Sequence, residues 1–135
     1  MYLLDTDILG NLMGRCPSTT LIAKLASVPP EQQYTSSITL GELIVGASRF
    51  GRRSTALLSQ IETRLIPHLQ ILPFDAAAAR RYGEMSAVLA RKGRPVSETA
   101  LRIAAIALVR NLTLVSTNPQ YFQRVPGLSV ENWLV

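Results

Sequence analysis

Acidic and hydroxylated side chains fall at three places in this sequence where a hydrophobic run gives way to a helical pattern. Asp5 sits within Leu3-Leu4-Asp5-Thr6-Asp7, and Glu42 within Ser36-Ser37-Ile38-Thr39-Leu40-Gly41-Glu42-Leu43. The third place is Leu101-Arg102-Ile103-Ala104-Ala105 followed by Leu114-Val115-Ser116-Thr117-Asn118. In an open α/β sheet, positions just past the strands collect along the carboxyl edge, where ligands bind. A few carboxylates gathered there would hold a divalent metal, which activates water and offsets negative charge on a substrate.

The elements that would position these residues can be read from periodicity. Residues 2–4 form a short apolar run suited to a buried parallel strand, and residues 8–13 read as a helix with Asp5, Thr6 or Asp7 available as cap. Ser18 can cap a helix carrying Leu21, Leu25 and Val28 on one face, ended by Pro29-Pro30. A second strand over 33–36 leads into a helix through Leu40, Leu43, Ile44 and Ala47. A helix over 53–66 buries Leu57, Ile61 and Leu65, and Pro67 closes it. A third strand spans 69–74. Asp75 then opens a long helix with Ala78, Tyr82, Met85 and Leu89 at helical spacing, stopped by Arg91-Lys92-Gly93-Arg94-Pro95. A helix with Leu101, Ala104, Ala105 and Leu108 inward precedes a fourth strand over 112–116 and a short fifth over 128–130. Strands alternating with helices predict a mostly parallel sheet covered on both faces.

Composition narrows the function classes. At 135 residues the chain reads as a single domain over 1–135 with a substantial core. Fourteen basic residues against nine acidic ones give a net charge of +5, and all the basic residues except Lys24 and Lys92 are arginine. Arginine suits bidentate phosphate contacts, so the balance permits a nucleic acid or an acidic partner. The lone Cys16 excludes an internal disulfide and a cysteine cluster for zinc. His68 is the single histidine, which argues against His-based metal sites and a Ser-His-Asp triad. No apolar run reaches membrane-spanning length and Met1 leads directly into a strand, so a soluble cytoplasmic protein with no membrane partner is expected.

The segments quoted above, with Met1-Tyr2-Leu3-Leu4-Asp5-Thr6-Asp7-Ile8-Leu9, Leu112-Thr113-Leu114-Val115-Ser116 and Val125-Pro126-Gly127-Leu128-Ser129-Val130-Glu131-Asn132-Trp133, together resemble PIN-domain proteins. The closer resemblance is to the VapC-type ribonuclease toxins of type II toxin–antitoxin pairs, and it runs essentially end to end. It implies a three-layer α/β/α sandwich with a mostly parallel sheet of four or five strands. It also implies a metal-dependent endoribonuclease using Mg²⁺ or Mn²⁺, a homodimer, and a cognate VapB-like antitoxin whose segment covers the active groove. The family's acids map to Asp5, Glu42 and position 100, with an optional fourth acid near Asn118. This chain departs from the pattern: Ala100 stands where the family has Asp, three residues before the Ile of Ile103-Ala104-Ala105, and Asn118 takes the optional fourth place. Asp5 and Glu42 are therefore the expected metal ligands and catalytic carboxylates. Ala100 marks a missing ligand, Asn118 is a catalytic polar position, and Thr6 and Ser116 are supporting groups.

Each assignment has a plainer rival. Asp5 could be a helix cap, although Asp7 competes for that role and is read as a cap or hydrogen-bond partner rather than a ligand. Thr39-Leu40-Gly41-Glu42 fits a capping box. Asp75 reads as an N-cap. Ser116 and Asn118 fit ordinary turn polarity, and Tyr82 and Met85 fit the core. Glu98, two residues before Ala100, lies roughly 200° from it around a regular helix and is a poor replacement. Arg49, Arg52 and Arg53, and Arg91, Lys92 and Arg94, could track an RNA backbone or simply face solvent. The expected function is RNA hydrolysis by metal-assisted attack of water. A catalytically silent PIN-fold module that binds antitoxin or RNA is the alternative raised by Ala100, and a DNA-directed nuclease or binder is a third.

Overall fold

Leu3 and Leu4 are adjacent in sequence and lie in different cores, because successive strand side chains point to opposite faces of a sheet. That alternation organises the computed structural model, which describes residues 1–94 and 96–135. The chain runs β1 (Tyr2–Leu4), α1 (Thr6–Met13), α2 (Thr19–Ser27), β2 (Gln33–Ser36), α3 (Ser37–Ser48), α4 (Ser54–Gln60) and β3 (Gln70–Leu72). It continues through α5 (Ala76–Arg91), α6 (Glu98–Val109), β4 (Thr113–Val115), α7 (Pro119–Phe122) and β5 (Val130–Glu131).

All five strands are parallel, in the order β3-β2-β1-β4-β5. The expected three-layer sandwich is present. Leu3 and Leu114 join α5 and α6 on one face through Met85, Leu89, Leu101, Ile103 and Ala104. Leu4 and Val115 join Ile8, Leu9, Leu21, Leu65 and Trp133 on the other. In α6 the residues from Ile103 to Ala107 are all buried, which explains its nearly unbroken apolar sequence.

The strand order matters for the site. From β1 the chain moves outward through β2 to β3, then returns to place β4 on the other side of β1. Registers Leu3↔Leu114 and Leu4↔Val115 put Asp5 and Ser116 side by side just past the strand ends, and the Asp5 N–H extends the ladder by donating to the Val115 carbonyl at 3.0 Å. The carboxyl ends of β1 and β4 thus flank the point where strand order reverses, the crevice in which open α/β sheets bind ligands.

Several sequence expectations hold locally. Ser18 and Asp75 are N-caps, accepting from the Leu21 and Ala78 N–H groups at 3.2 and 3.0 Å. Met85 is buried, and Tyr82 packs edge-on against Phe74 beneath the Arg102 guanidinium. Others are corrected. The third, fourth and fifth strands are shorter than, or offset from, the runs at 69–74, 112–116 and 128–130, each being strand only where it pairs with its neighbour: β3 with β2, β4 with β1 and β5 with β4. The helix expected over 53–66 is α4 followed by a π turn at Ile61–Leu65 and a 3₁₀ turn at Ile66–His68; Pro67 has no N–H with which to resume the α ladder. Of the stop after α5, Pro95 lies outside the described residues.

That stop depends on Gly93. Its φ of +65° is left-handed, and the Arg94 N–H then closes the helix end on the Leu89 carbonyl at 3.0 Å. Gly93→Ala is expected to lower stability by about 1 kcal/mol, the cost of a Cβ in that region, read as a lower urea midpoint at unchanged slope. No loss would mean that the turn has another low-energy form.

Candidate active site

α1 starts immediately after β1, so the first residue past the strand serves both the sheet edge and the helix. Asp5 is the N-cap of α1, its Oδ1 accepting from the Thr6 N–H at 2.8 Å. This reverses the expectation that Asp7 takes the cap and leaves Asp5 free. Asp7 instead reaches across the crevice to the segment after β4: its Oδ2 accepts from the Thr117 N–H at 3.0 Å and from the Thr117 hydroxyl, with the Ser116 hydroxyl at 3.5 Å. It is the hydrogen-bond partner the sequence allowed for, joined to residues about 110 positions away.

Glu42 is freed from capping by the way α3 begins. The helix starts at Ser37, and Ser36 is the N-cap, accepting from the Thr39 N–H at 3.0 Å. Thr39 is therefore in the first turn and the capping box with Glu42 does not form. Glu42 Oε1 accepts from the Thr6 hydroxyl, which also stands 3.3 Å from the buried Thr39 hydroxyl. Thr39 in turn accepts from Ser36 at 3.1 Å. These hydroxyls tie α3 to α1 and set Glu42 facing the same cavity as Asp5.

Ala100 lies in the first turn of α6, where Ser97 is the N-cap and accepts from the Ala100 N–H at 3.2 Å. Glu98 sits on another face, paired with Arg102 at 3.6 Å and well exposed, and it is not among the residues lining the cavity with Ala100. Asn118 caps the short α7, its Oδ1 accepting from the Tyr121 N–H at 3.4 Å, and its own N–H donates to Ser116 Oγ at 3.2 Å. The sequence reading missed α7, though Asn118 at the cap followed by Pro119 at the first helical position was its signal. Through α7, the Tyr121 hydroxyl accepts from the Ser97 N–H at 2.6 Å and fastens this wall to the start of α6.

One cavity of about 360 Å³ collects the positions singled out from sequence: Asp5, Thr6, Glu42, Ala100, Ser116 and Asn118 all line it. Asp7, Ser97, Thr99 and Tyr121 line it too. Among the described lining residues none is basic. Arg49, Arg52, Arg53, Arg91, Lys92 and Arg94 are exposed and lie outside it.

The electrostatics follow from that lining. Asp5 is 8% exposed, and burial first, then the Asp7 charge, pushes its carboxyl from 3.8 to about 6. The Thr6 N–H and Ser116 hydroxyl oppose the rise, and the Glu42 charge adds a smaller push upward. Among the described residues no group of three or more His, Cys, Asp or Glu is placed to hold a metal. The two carboxylates with neighbouring hydroxyls fit an ion that keeps several of its waters, as Mg²⁺ does.

Because the folded form holds the Asp5 proton more tightly than the unfolded chain, stability falls as pH climbs from about 4 to about 6 and is level above that. The ionised carboxylate costs on the order of 3 kcal/mol at neutral pH. Asp5→Asn keeps the cap acceptor and removes the charge. It is expected to raise the melting temperature at pH 7.5 without metal, with the gain fading to nothing by pH 4; equal stability at pH 7.5 would contradict the strained carboxylate. Asp7→Ala is expected to speed hydrogen exchange at the Thr117 amide by tenfold or more, as loss of a charge-assisted bond worth about 1.5–3 kcal/mol implies. Unchanged protection would mean that the Ser116–Asn118 segment is held by other contacts.

Comparison with known proteins agrees with this architecture. Residues 2–128 match the family described as PIN domain. The chain is 35% identical to the tRNA(fMet)-specific endonuclease VapC of Shigella flexneri, with 98% of this chain and 97% of that protein covered. Its fold superposes on DNA-bound VapBC from Salmonella typhimurium with a TM-score of 0.89 at 34% identity, covering 98% and 97% of the two chains. It superposes on FitAcB from Neisseria gonorrhoeae with a TM-score of 0.90 at 28% identity, covering 98% of each.

Proposed function

The chain belongs to the PIN-domain family, among the VapC-type ribonuclease toxins of type II toxin–antitoxin systems, and from that premise we propose that Asp5 and Glu42 hold Mg²⁺ or Mn²⁺ for the hydrolysis of RNA. The observation that carries this reading is the electronegative crevice itself. Two carboxylates from elements far apart in sequence face one cavity beside Asp7, with no basic lining residue among those described. Its partner is a VapB-like antitoxin. The whole of 1–135 acts as one domain, as a homodimer, in the cytoplasm. Among the described residues no helix is long and apolar enough to cross a membrane.

Asp5 and Glu42 would hold the divalent cation, which would supply an activated water and offset the charge of the phosphate. The remaining tasks fall to the protein. Asp5 is oriented by its cap bond from the Thr6 N–H. Thr6 donates to Glu42 and orients it. Asp7 holds the Ser116–Asn118 wall through Thr117. Asn118 and Tyr121 bring α7 against the start of α6 and shape the far side of the cavity.

Ala100 is the one observation that favours the silent binding module. A methyl group on that wall offers neither a ligand nor an acceptor for water, and loss of one positioned catalytic group commonly costs about 100-fold or more. The test is cleavage of a pool of transfer and ribosomal RNA, including initiator transfer RNA, the substrate in the Shigella relative's name. The chain itself, Ala100→Asp, and Ala100→Asp combined with Asp5→Asn are compared with Mg²⁺ or Mn²⁺ and with chelator. Cutting by Ala100→Asp, about 100-fold or more above the parent chain and abolished by Asp5→Asn or chelator, is expected. Strong cutting by the parent would make position 100 dispensable and require a different ligand set. Silence from all three would leave the binding module as the function.

A further inference from the structure

Beside the carboxylate cavity lies a second hollow of about 500 Å³, and the two share Thr6 and Glu42 in their walls. Resting on the ribonuclease reading above, we propose that this hollow is a nucleotide subsite: it takes one unstacked base of a single RNA strand, and Arg15 and Arg53 take the adjoining phosphates.

A strand whose phosphodiester lies against Asp5 and Glu42 must leave the cavity on some side, and through Thr6 and Glu42 the second hollow is its immediate neighbour. Its volume lies within the range of ordinary small-ligand sites, about 300–1,000 Å³, so one nucleotide is a fitting occupant.

The lining matches that occupant in two respects. Met13, Leu43 and Phe50 make its walls largely apolar, and Phe50 is 57% exposed. A ring left that open in a groove is a stacking platform that any base can use. Arg15, just past α1, and Arg53, just ahead of α4, are both exposed lining residues. Among the described residues neither takes part in a salt bridge. Glu42, shared with the carboxylate cavity, is the one acid among the described lining residues. An apolar floor with two unpaired guanidinium groups suits base plus phosphate, since arginine pairs bidentately with phosphate oxygens. A purely apolar peptide segment would leave both cations unmatched.

The hollow also restricts which RNA conformation is accepted. A base held in duplex cannot present its face to Phe50, so the site selects loops, ends and unpaired strands.

Binding tests this independently of turnover, with the chain as it stands. A short fluorescently labelled single-stranded RNA is titrated by anisotropy over a range of KCl concentrations, and the same RNA annealed to its complement serves as the competitor. The chain is compared with Phe50→Ala, Phe50→Trp, Arg15→Gln and Arg53→Gln, each first checked for an unchanged melting curve; all three positions are exposed. Phe50→Ala is expected to weaken binding about fivefold or more with an unchanged salt slope, and Phe50→Trp to retain it, since stacking is what the position supplies. Each arginine variant is expected to weaken binding and to lower the slope of log affinity against log salt by about 0.7, one phosphate contact on a single strand. If the parent binds the single strand and all the variants bind it equally well, the subsite is overturned and the hollow passes to a protein partner. Equal affinity for the duplex would overturn it also. A parent chain that binds no RNA would overturn the ribonuclease reading itself, an outcome distinct from failure of the subsite alone.

Discussion

A buried carboxylate with no counter-charge of its own is the constraint on which the rest of this structure turns. Asp5 lies at the end of the central strand, nearly out of solvent, beside a second acid and facing a third. Burying an unpaired charge is costly, and the molecule tolerates it because the same residue caps α1. Stability is given up at the sheet edge where α/β folds bind ligands, and perturbed carboxylates of this kind cluster at functional sites.

Around that carboxylate the hydrogen bonds form two braces. One runs from Ser36 through Thr39 to Thr6 and Glu42, and joins α3 to α1. The other runs from Asp7 to Thr117 and Ser116, and joins α1 to the segment after β4. The two meet in the first turn of α1, at Thr6 and Asp7, so this turn is tied to both walls. The third wall, α6, comes in through Ser97 and the Tyr121 hydroxyl. Ala100 stands on that wall and presents only a methyl group to the cavity.

The fold places these carboxylates at the carboxyl edge of the sheet, where α/β folds bind ligands. Strands of two to four residues contribute little pairing by themselves, and the sheet is sustained by apolar layers on both faces. Their brevity has a functional consequence. With Leu4 and Val115 ending β1 and β4 in register, Asp5 and Ser116 emerge at the same height with nothing between them and the crevice.

Local pattern was sufficient for what depends on near neighbours along the chain. The strand–helix alternation, the caps at Ser18 and Asp75, the buried run of α6 and the poor placing of Glu98 all follow from periodicity and capping chemistry within a turn or two. Asp5, Glu42 and the gap at Ala100 were legible only through family resemblance, because an isolated acid after a strand or in a helix has ordinary structural uses. Tertiary structure alone decided that Ser36 rather than Thr39 begins α3, that Asp5 is the cap while Asp7 binds Thr117, that the 53–66 helix breaks into turns, and that a hollow walled by Met13, Leu43 and Phe50 adjoins the carboxylates. In the site these decisions rest on side chains brought together across 33 to 110 positions of sequence. Such meetings are set by which strands pair and which faces are covered, a long-range balance of burial that no short window of sequence contains.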